Sequence, residues 1–340
     1  MKDIKKALTF RASSIGDCLM GKYLLENVHA QYPRARCGLV VANHGDLMRD
    51  LFAGYPWIEV IEANRKNPRA LWRLWREWRG SDLVVTQYAG KPGGVFSLAS
   101  KCAARLLARR GGLVGFSDAS GLNNLLYDRL VPFDPQAAPA QMEREALTLA
   151  GVEVALPHPM LAPVSDLAVL RQFNLTPGMY VMFHSFSGSK KRALSVAKRQ
   201  ALVVALAQAL PADIELVVTG GAQDKEEAIA ATSGTRAKVL VERTTMQQML
   251  ALISQSRAVI AVDTGVAHMA AQLDRPVVVI GSCIGAHWWQ EGQYGPASRA
   301  TILTEKSACG SVHAMVDYPP CMNTIPAQKV AAAAQNFLTS

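Results

Sequence analysis

Two glycines and a lysine in the stretch RASSIGDCLMGKYL, residues 11–24, have the spacing of a nucleoside-triphosphate-binding loop. Gly16, Gly21 and Lys22 match the pattern of a Gly, four residues and Gly-Lys that cradles phosphate groups. That pattern continues with a Ser or Thr whose hydroxyl holds Mg²⁺, and this chain has Tyr23 instead. The Asp inside the loop would also place a carboxylate among amides that bind phosphate. We therefore reject this interpretation and expect Lys22 to lie on a helix surface.

The same turn carries a carboxylate that could act as a base. Gly16 permits a tight turn after a strand, and Asp17 then lies at a helix start, where the dipole favours its ionised form. Ligands of open α/β sheets bind outside the carboxyl ends of the strands, where this turn would lie. A plain helix cap is the alternative for Asp17, and this stretch alone does not decide between the two.

A second candidate site lies in residues 258–282, where an apolar run ends at Asp263 and a helix follows. Thr264 and Gly265 begin that helix, and backbone amides at a helix start suit a diphosphate. Thr264 adds a hydroxyl, and Asp263 or His268 can bind hydroxyls of a sugar or ribose. A role in helix capping alone is less favoured, because His268 would face the same crevice.

Two further turns follow strand-like segments in the second half of the chain. Residues 184–195 carry hydroxyls, a glycine and the pair Lys190 and Lys191, which suit a phosphate group better than a solvated basic loop. Gly220 and Gly221 follow an apolar run and allow a ligand to approach the backbone closely. The sequence contains no Asp-x-Asp, so we predict that no metal ion binds the diphosphate and that helix dipoles and basic side chains stabilise it.

A parallel sheet must position these turns, and the alternation of strand and helix patterns predicts one in each half of the chain, an α/β fold. The predicted strands are residues 6–10, 37–42, 58–63, 82–88, 111–116, 180–185, 214–221, 238–242, 258–263 and 276–281. The predicted helices begin at Asp17 and near residue 265 and cover residues 45–54, 69–79, 195–210, 223–233, 245–256 and 326–339, with another in the first part of residues 136–163.

The helix at residues 69–79 is amphipathic and has two interpretations. Trp and Arg suit a helix that lies on a membrane surface. A helix that covers the sheet and exposes its arginines is favoured, because a strand-like segment follows immediately. The face expected to be buried carries Leu71, Leu74, Trp75 and Trp78.

The length of 340 residues predicts two domains of ordinary size. A proline-rich stretch that ends near residue 163 indicates the linker between them. We predict an N-terminal domain over residues 1–160, a C-terminal domain over residues 161–325, and a final helix within 326–340 that packs back onto the first domain.

Composition and charge restrict the class of protein. Half of the residues are hydrophobic, no apolar run is long enough to span a bilayer, and the N-terminus has no signal-peptide pattern, so we expect a cytoplasmic protein. The net charge of +9 suits an anionic partner. Because no nucleic-acid-binding motif accompanies the basic residues, phosphorylated ligands are favoured over nucleic acid.

The six cysteines are scattered and contain no Cys-x-x-Cys pair. Reduced thiols in a cytosolic protein are the favoured interpretation. Cys309 and Cys321 are the one pair close in sequence, and a bridge or a metal ion between them stays open.

Taken together, the candidate residues resemble glycosyltransferase family 9, the ADP-heptose lipopolysaccharide heptosyltransferases. The N-terminal pattern of that family is an Arg, a Ser, Ile-Gly-Asp and a later Tyr-Pro, which this chain has at Arg11, residues 14–17 and residues 32–33. The more specific block is Asp-Ser/Thr-Gly-x-x-His-x-Ala-Ala, then a Pro and an apolar strand ending in Gly, and residues 263–281 match it. The likeness runs over nearly the whole chain, as far as residues 321–326.

The resemblance implies the GT-B architecture, in which two Rossmann-like domains face each other across a cleft, and an inverting reaction without a metal or other cofactor. Asp17 would be the general base that deprotonates the acceptor, with Ser14 and Gly16 beside it in the acceptor-binding domain. The C-terminal domain would bind the nucleotide-sugar donor through Ser187, Lys191, Gly220, Gly221, Asp263, Thr264, Gly265 and His268.

The resemblance also implies the substrates. The chain, as a monomer, would transfer heptose from ADP-heptose to an anionic lipid-linked oligosaccharide of the lipopolysaccharide core, at the cytoplasmic face of the inner membrane. A nucleotide-sugar epimerase or phosphorylase of the same fold and a non-catalytic nucleotide-sugar-binding protein are the alternatives. The retained Asp17 argues against the last of these, because a binding protein needs no base.

Overall fold

The computed structural model describes residues 3–12, 14–88, 94–134, 136–164, 166–283, 285–295, 299–309 and 316–338. The chain divides into two compact units, and each contains one six-stranded sheet. The first unit is Met1–Pro159 with Glu291–Gln293, and the second is Met160–Gln290 with Tyr294–Ser340.

The first unit is built on a wholly parallel sheet. Its strands are β1 (Lys6–Arg11), β2 (Arg36–Val41), β3 (Ile58–Glu62), β4 (Leu83–Val85), β5 (Leu113–Phe116) and β6 (Arg129–Val131). Their order is β3-β2-β1-β4-β5-β6. The order reverses between β1 and β4, and ligands of open α/β sheets bind at the carboxyl ends of the strands at such a reversal. The turn that carries Asp17 follows β1 and therefore lies at this point.

Among the described residues of this unit, the helices that connect or flank these strands are α1 (Ile15–Gln31), α2 (Gly45–Leu51), α3 (Pro68–Trp78), α4 (Leu98–Leu107), α5 (Gly121–Asn124) and α6 (Pro139–Ala150). Local sequence sets several of their ends. Asn67 accepts a hydrogen bond from the N–H of Ala70 at the start of α3, and a proline occupies the first turn. Gly151 ends α6 in the left-handed conformation, with φ 75°.

Helix α3 buries one face and exposes another. Leu74 and Trp78 lie in the apolar cluster of the first unit, as expected for a helix that covers the sheet. Gly38 of β2 makes room for the indole, because a Cβ at that position would lie 2.7 Å from Cη2 of Trp78. Leu71 and Trp75, predicted on the same buried face, are instead 36% and 41% exposed. The buried residues of α3 are thus Leu74 and Trp78, which lie four positions apart on one face of the helix. The apolar surface of Leu71 and Trp75 is partly exposed to solvent.

The second unit repeats the same topology. Its strands are β7 (Tyr180–His184), β8 (Glu215–Val218), β9 (Lys238–Val239), β10 (Ala258–Val262), β11 (Val277–Ile280) and β12 (Ala300–Leu303). Their parallel order is β12-β11-β10-β7-β8-β9, so the reversal lies between β7 and β10. The turns that follow these two strands hold residues 185–189 and 263–264.

The helices of the second unit are α7 (Ala168–Gln172), α8 (Val196–Ala209), α9 (Lys225–Thr232), α10 (Met246–Gln255), α11 (Gly265–Gln272), α12 (Pro320–Asn323) and α13 (Ala327–Gln335). Ser195 accepts the N–H of Lys198 at the start of α8. Thr245 and Gln248 form a reciprocal capping box at the start of α10. None of the helices in the described part of the chain is both long enough and apolar enough to cross a membrane.

The final helix, α13, packs within the second unit. It packs against α8 and β11 of the second unit, and Val330, Ala331 and Ala334 lie in the apolar core of that unit. The side-chain amide of Gln335 also donates to the carbonyl of Ala209 at 2.9 Å. The small apolar face of Ala327–Gln335 is thus covered within its own unit, and packing of this helix onto the first domain stays a prediction.

The hydrophobic pattern located the strands well. Each predicted strand overlaps an observed strand. The edge strands β6 and β12 were not predicted, because they are short and only partly buried and so lack a continuous apolar run. Helix α4 and the short helices α5, α7 and α12 were also missed.

Candidate active site

In the first unit, Asp17 lies in the first turn of α1, directly after β1 and its short loop. Ser14 is the N-cap of that helix: its hydroxyl oxygen accepts the N–H of Asp17 at 3.2 Å. The same hydroxyl donates to Oδ2 of Asp17. Gly16 is buried, whereas Asp17 is only half-buried. The capping residue thus fixes a carboxylate that keeps contact with solvent.

A buried ion pair lies close to this carboxylate. Nη2 of Arg11 is 2.8 Å from Oε2 of Glu143, and neither side chain reaches solvent. Burial raises the pKa of Glu143 to about 7; the charge of Arg11 opposes that shift and the charge of Asp17 adds to it. Oε1 of Glu143 has no hydrogen-bond partner among the described residues. Sequence reasoning missed Glu143, because no local pattern marks its place in α6.

The short loop after β1 is tied to the loop after β4. The side-chain oxygen of Gln87 accepts a hydrogen bond from the N–H of Ala12 at 2.5 Å. The two strands that border the reversal therefore also share a hydrogen bond just beyond their ends. This contact helps to position the turn that leads to Asp17.

Lys22 is not on the surface of α1, which corrects the expectation from the sequence. Its side chain is fully buried, its Nζ lies 2.6 Å from Oε1 of Glu26, and it lies 4.5 Å from the centre of the Tyr55 ring. Burial lowers the pKa of Lys22 and raises the pKa of Glu26. A lysine engaged in this way cannot reach a phosphate at the turn, so the rejection of the nucleoside-triphosphate-binding loop stands on structural grounds as well.

In the second unit, Asp263 follows β10 and is almost completely buried, with 2% of its surface exposed. The indole N–H of Trp289 donates to its Oδ1 at 3.0 Å. Its Oδ2 lies against Gly285, where any Cβ would collide with it. Asp263 is thus a fixed acceptor enclosed by the loop that follows β11.

His268 lies in the same cluster. Its ring stacks on that of Trp289, with the centres 4.8 Å apart, and its Nδ1 shares a hydrogen bond with the hydroxyl of Tyr294. Burial lowers the pKa of His268 to about 4; the charge of Asp263 opposes the shift and that of Arg192 adds to it. His268 is therefore neutral at neutral pH. Its Nε2, 3.6 Å from Oδ1 of Asp263, does not form an ion pair with it.

The start of α11 presents backbone donors. Thr264 is the N-cap in an extended conformation, yet its hydroxyl donates to the carbonyl of Val262 at 3.2 Å and does not cap the helix. No side chain of the described residues caps this end, and Gly265 brings no side chain of its own. Amides in the first turn of a helix have no partner within the helix and attract anions.

The turn after β7 lies beside that after β10. His184 is hydrogen-bonded to Thr219 at 3.1 Å, and burial lowers its pKa to about 4. Ser185 is fully buried, and its hydroxyl has no partner among the described residues. Ser187 is half-buried and accepts the N–H of Ser189, and Lys191 is exposed in a short 3₁₀ turn, Lys190–Arg192.

The Gly-Gly turn after β8 is filled by the protein itself. Asp224 accepts the N–H of Gly221 at 2.8 Å, and a Cβ on Gly220 would lie 2.9 Å from the ring of Phe186. The close approach that these two glycines allow is thus made by neighbouring side chains. Asp263, His268 and Trp289 form the contiguous cluster at this edge of the sheet.

Sequence reasoning missed the aromatic part of this cluster. Trp288 and Trp289 follow β11 in a short 3₁₀ turn, and both rings contact His268. The His-Trp-Trp run at residues 287–289, placed soon after a buried strand, was the available signal. Arg192 was passed over in favour of its lysine neighbours, although its charge acts on His268.

Comparison with protein families decides the class. The model of glycosyltransferase family 9 (heptosyltransferase) matches residues 110–281, just over half of the chain. The chain belongs to glycosyltransferase family 9. The resemblance and the prediction of a glycosyltransferase are therefore confirmed. The matched segment includes the Asp263 turn. It begins at residue 110 and so does not include the Asp17 turn. A search of curated proteins found no match.

Solved structures of family 9 proteins share the fold. A glycosyl transferase family 9 protein from Veillonella parvula DSM 2008 has a TM-score of 0.78 at 15% identity, covering 100% of this chain and 98% of its own. The E. coli ADP-heptose lps heptosyltransferase II has a TM-score of 0.69 at 18% identity, with 98% of both chains covered. E. coli heptosyltransferase WaaC with ADP has the same score and identity, covering 98% and 99%. This likeness of fold confirms the predicted GT-B class with its two Rossmann-like domains.

Proposed function

We propose that this family 9 glycosyltransferase transfers heptose from ADP-heptose to an oligosaccharide of the lipopolysaccharide core or a related glycan, with inversion at the anomeric carbon. One observation carries the proposal: an uncapped helix start, at Thr264 and Gly265, lies next to the buried cluster of Asp263, His268 and Trp289. Backbone amides suit a diphosphate, and a fixed carboxylate beside a neutral imidazole suits sugar or ribose hydroxyls.

The second unit then binds the donor. The diphosphate is held by the amides at the start of α11 and by the hydroxyls of Thr264 and Ser187. The charges of Lys191 and Arg192 add to this binding. The carboxylate of Asp263 accepts hydrogen bonds from hydroxyls of the sugar or ribose, and the neutral ring of His268 donates or accepts one. Gly220 and Gly221 border the same edge of the sheet, where the lack of a side chain at Gly220 leaves room for Phe186 and Asp224, and Asp224 accepts the N–H of Gly221.

The first unit binds the acceptor, and Asp17 is the general base, with Ser14 and Gly16 setting its position. As the acceptor oxygen bonds to the anomeric carbon, its proton passes to a carboxylate oxygen of Asp17. The bond from the anomeric carbon to the diphosphate breaks, and the released nucleoside diphosphate carries away the electron pair. A single displacement of this kind inverts the anomeric centre.

Basic groups stabilise the leaving diphosphate, so the reaction needs no divalent cation. The chain has no Asp-x-Asp, and Lys191, Arg192 and the helix start supply positive charge on the donor side. Turnover should be the same with and without added Mg²⁺ or Mn²⁺. A strict requirement for either ion would contradict this part of the proposal.

The acceptor is membrane-linked, and α3 is a surface suited to anionic headgroups. Trp72 and Trp75 are 56% and 41% exposed, and the guanidinium groups of Arg76 and Arg79 lie over their rings at 4.7 and 4.9 Å. Aromatic and arginine side chains together favour the lipid interface. We propose that the enzyme, as a monomer, binds peripherally at the cytoplasmic face of the inner membrane through this helix.

Vesicle sedimentation tests the membrane surface. The wild type should bind vesicles rich in anionic lipid more strongly than vesicles of phosphatidylcholine, and the double variant Trp72→Ser/Trp75→Ser should lose this preference. Leu106→Ser is the matched control, since Leu106 is an exposed apolar residue on α4. Equal binding by both variants would remove α3 from the proposal.

Two measurements test the transfer itself. A thermal-shift panel of ADP, UDP and GDP identifies the nucleotide, because a bound ligand stabilises the folded state according to its concentration relative to Kd. Release of that nucleoside diphosphate from its heptose conjugate should then depend on a truncated lipopolysaccharide acceptor. Turnover of the donor without any acceptor would favour an epimerase, and binding without turnover would favour a non-catalytic nucleotide-sugar-binding protein.

A further inference from the structure

Three cysteines from separate segments of the second unit converge on one point. Cys283 follows β11, Cys309 follows the 3₁₀ turn after β12, and Cys321 lies in α12. Their three Sγ atoms all lie within 4.8 Å of one another. Cys309 and Cys321 are buried, and Cys283 is half-buried.

The spacing is close to that of a metal centre. In a tetrahedral site with Zn–S bonds of about 2.3 Å, neighbouring sulfurs are about 3.8 Å apart, so the thiols need to approach by at most about 1 Å. A backbone group already contacts one of the sulfurs: the N–H of Cys321 donates to Sγ of Cys309 at 3.1 Å. Such outer contacts orient and stabilise metal-bound thiolates.

We propose that Cys283, Cys309 and Cys321 bind one zinc ion. Thiolate ligands disfavour hard ions such as Mg²⁺ and Ca²⁺, and zinc binds such sulfur ligands in tetrahedral structural sites. Buried cysteines often serve as small apolar residues, but that role does not require three of them to meet from three segments. A disulfide would join two of the sulfurs and leave the third unused. Binding converts the thiols to thiolates, whose protons pass to solvent, and the fourth zinc position is left to water or another donor.

The ion would connect two sides of the candidate donor site. Cys283 begins the loop that carries Gly285 and Trp289, both in contact with Asp263. Cys321 shares α12 with Asn323, which accepts the N–H of Ser195 at 2.7 Å and donates to the carbonyl of Ala193 at 3.3 Å.

The same segment reaches the basic turn. The N–H of Tyr318, just before α12, donates to the carbonyl of Lys190 at 2.9 Å. The zinc would thus hold the Trp289 loop and the Lys190–Arg192 turn together. This consequence rests on the proposed function, whereas the metal site itself does not.

Metal analysis tests the site without any substrate. Protein made without a tag, in medium that contains zinc and under reducing conditions, should hold about one zinc per chain by mass spectrometry of the metal. Cys283→Ser should hold little or none, and it disturbs the core least because Cys283 is half-buried. Cys102→Ser is the control, because Cys102 is exposed on α4 of the other unit, and it should keep the metal.

A second measurement does not depend on how a variant folds. Wild-type protein stripped of metal should take up Co²⁺ with the charge-transfer absorption of thiolate ligands. Wild-type protein with neither zinc nor this absorption would overturn the proposal, and so would an intact mass that shows a disulfide in freshly prepared protein. Removal of the zinc from wild-type protein should lower the Tm and weaken ADP binding. If the protein holds zinc but its affinity for ADP is the same before and after removal, the connection to the donor site is overturned and the metal site still stands.

Discussion

Each unit places an aspartate where its strand order reverses, after β1 in the first unit and after β10 in the second, and the two carboxylates differ in their contacts. Asp17 lies inside the first turn of its helix, is half-buried and receives the hydroxyl of its own N-cap, Ser14. Asp263 precedes the N-cap, is 2% exposed and receives the indole N–H of Trp289. The first carboxylate keeps contact with solvent, whereas the second is largely enclosed by the loop after β11. In the proposed mechanism, the turn after β1 supplies the base and the turn after β10 binds the donor.

The largest expected effect is on the open carboxylate. Asp17→Asn should lower kcat by a factor on the order of 10²–10⁴, because the amide cannot take the proton of the acceptor hydroxyl. Donor affinity measured by calorimetry should be nearly unchanged. Asp46→Asn is the matched control, since Asp46 lies in the first turn of α2 with its side chain 99% exposed. Wild-type turnover in Asp17→Asn would remove Asp17 from the chemistry.

The next largest effects concern donor binding. Lys191→Ala should lose a charge-assisted hydrogen bond worth about 1.5–3 kcal/mol, or roughly tenfold to 150-fold in Kd. Asp263→Ala should also weaken donor binding, since the cluster with His268 loses its fixed acceptor. Lys190→Ala and the exposed Asp274→Ala are the neighbouring controls. If calorimetry gave the wild-type donor Kd for all four variants, the diphosphate would have to bind elsewhere.

The two lysines sharpen the comparison between the units. Lys22→Met should lower the free energy of unfolding by about 1–3 kcal/mol, because Glu26 loses its partner in a largely buried place. Donor affinity should be unaffected, in contrast to Lys191→Ala. A denaturant titration and a calorimetric Kd separate the two outcomes. Loss of nucleotide binding in a stable Lys22→Met variant would restore the interpretation of a phosphate-binding loop.

The smallest expected effects depend on pH and have opposite signs in the two units. The pKa of His268 falls from an ordinary 6.5 to about 4 in the folded state, so the unfolded chain binds more protons between these values. Its contribution to stability is present above pH 6.5 and is lost as the pH falls towards 4. The pKa of Glu143 rises from 4.5 to about 7, so its contribution is present below pH 4.5 and is lost as the pH rises through 7.

Thermal unfolding between pH 4.5 and 7.5 tests these signs. His268→Gln should flatten the loss of Tm on the acid side, by a few degrees, and Glu143→Gln should flatten the loss towards pH 7. Identical pH profiles for the wild type and both variants would contradict the origin assigned to these shifts.

Sequence patterns predicted the positions of both aspartates because each lies between a buried apolar strand and the body of a helix. These are local features, and the topology follows from the alternation of strands and helices. The partners of the aspartates could not be predicted in this way. Glu143 reaches Arg11 across 132 residues, and Trp289 reaches Asp263 across 26.

The error at Lys22 has the same physical cause. A lysine is expected at the surface unless a partner offsets its burial. Here two partners offset the burial of Lys22. One is Glu26, one turn further along α1, and the other is the Tyr55 ring, which is distant in sequence. The convergence of Cys283 with Cys309 and Cys321 also depends on the order of β11 and β12 in the sheet, which spacing alone does not give.

The stereochemistry of the product tests the central claim, a single displacement with Asp17 as base, most directly. Proton NMR of the glycosidic linkage formed by the wild type from a nucleotide-activated heptose reports the anomeric configuration. We predict the configuration opposite to that of the donor, because one base and no enzyme nucleophile give one inversion. A product that retains the donor configuration would contradict this mechanism, since retention by two displacements requires a covalent intermediate on the enzyme.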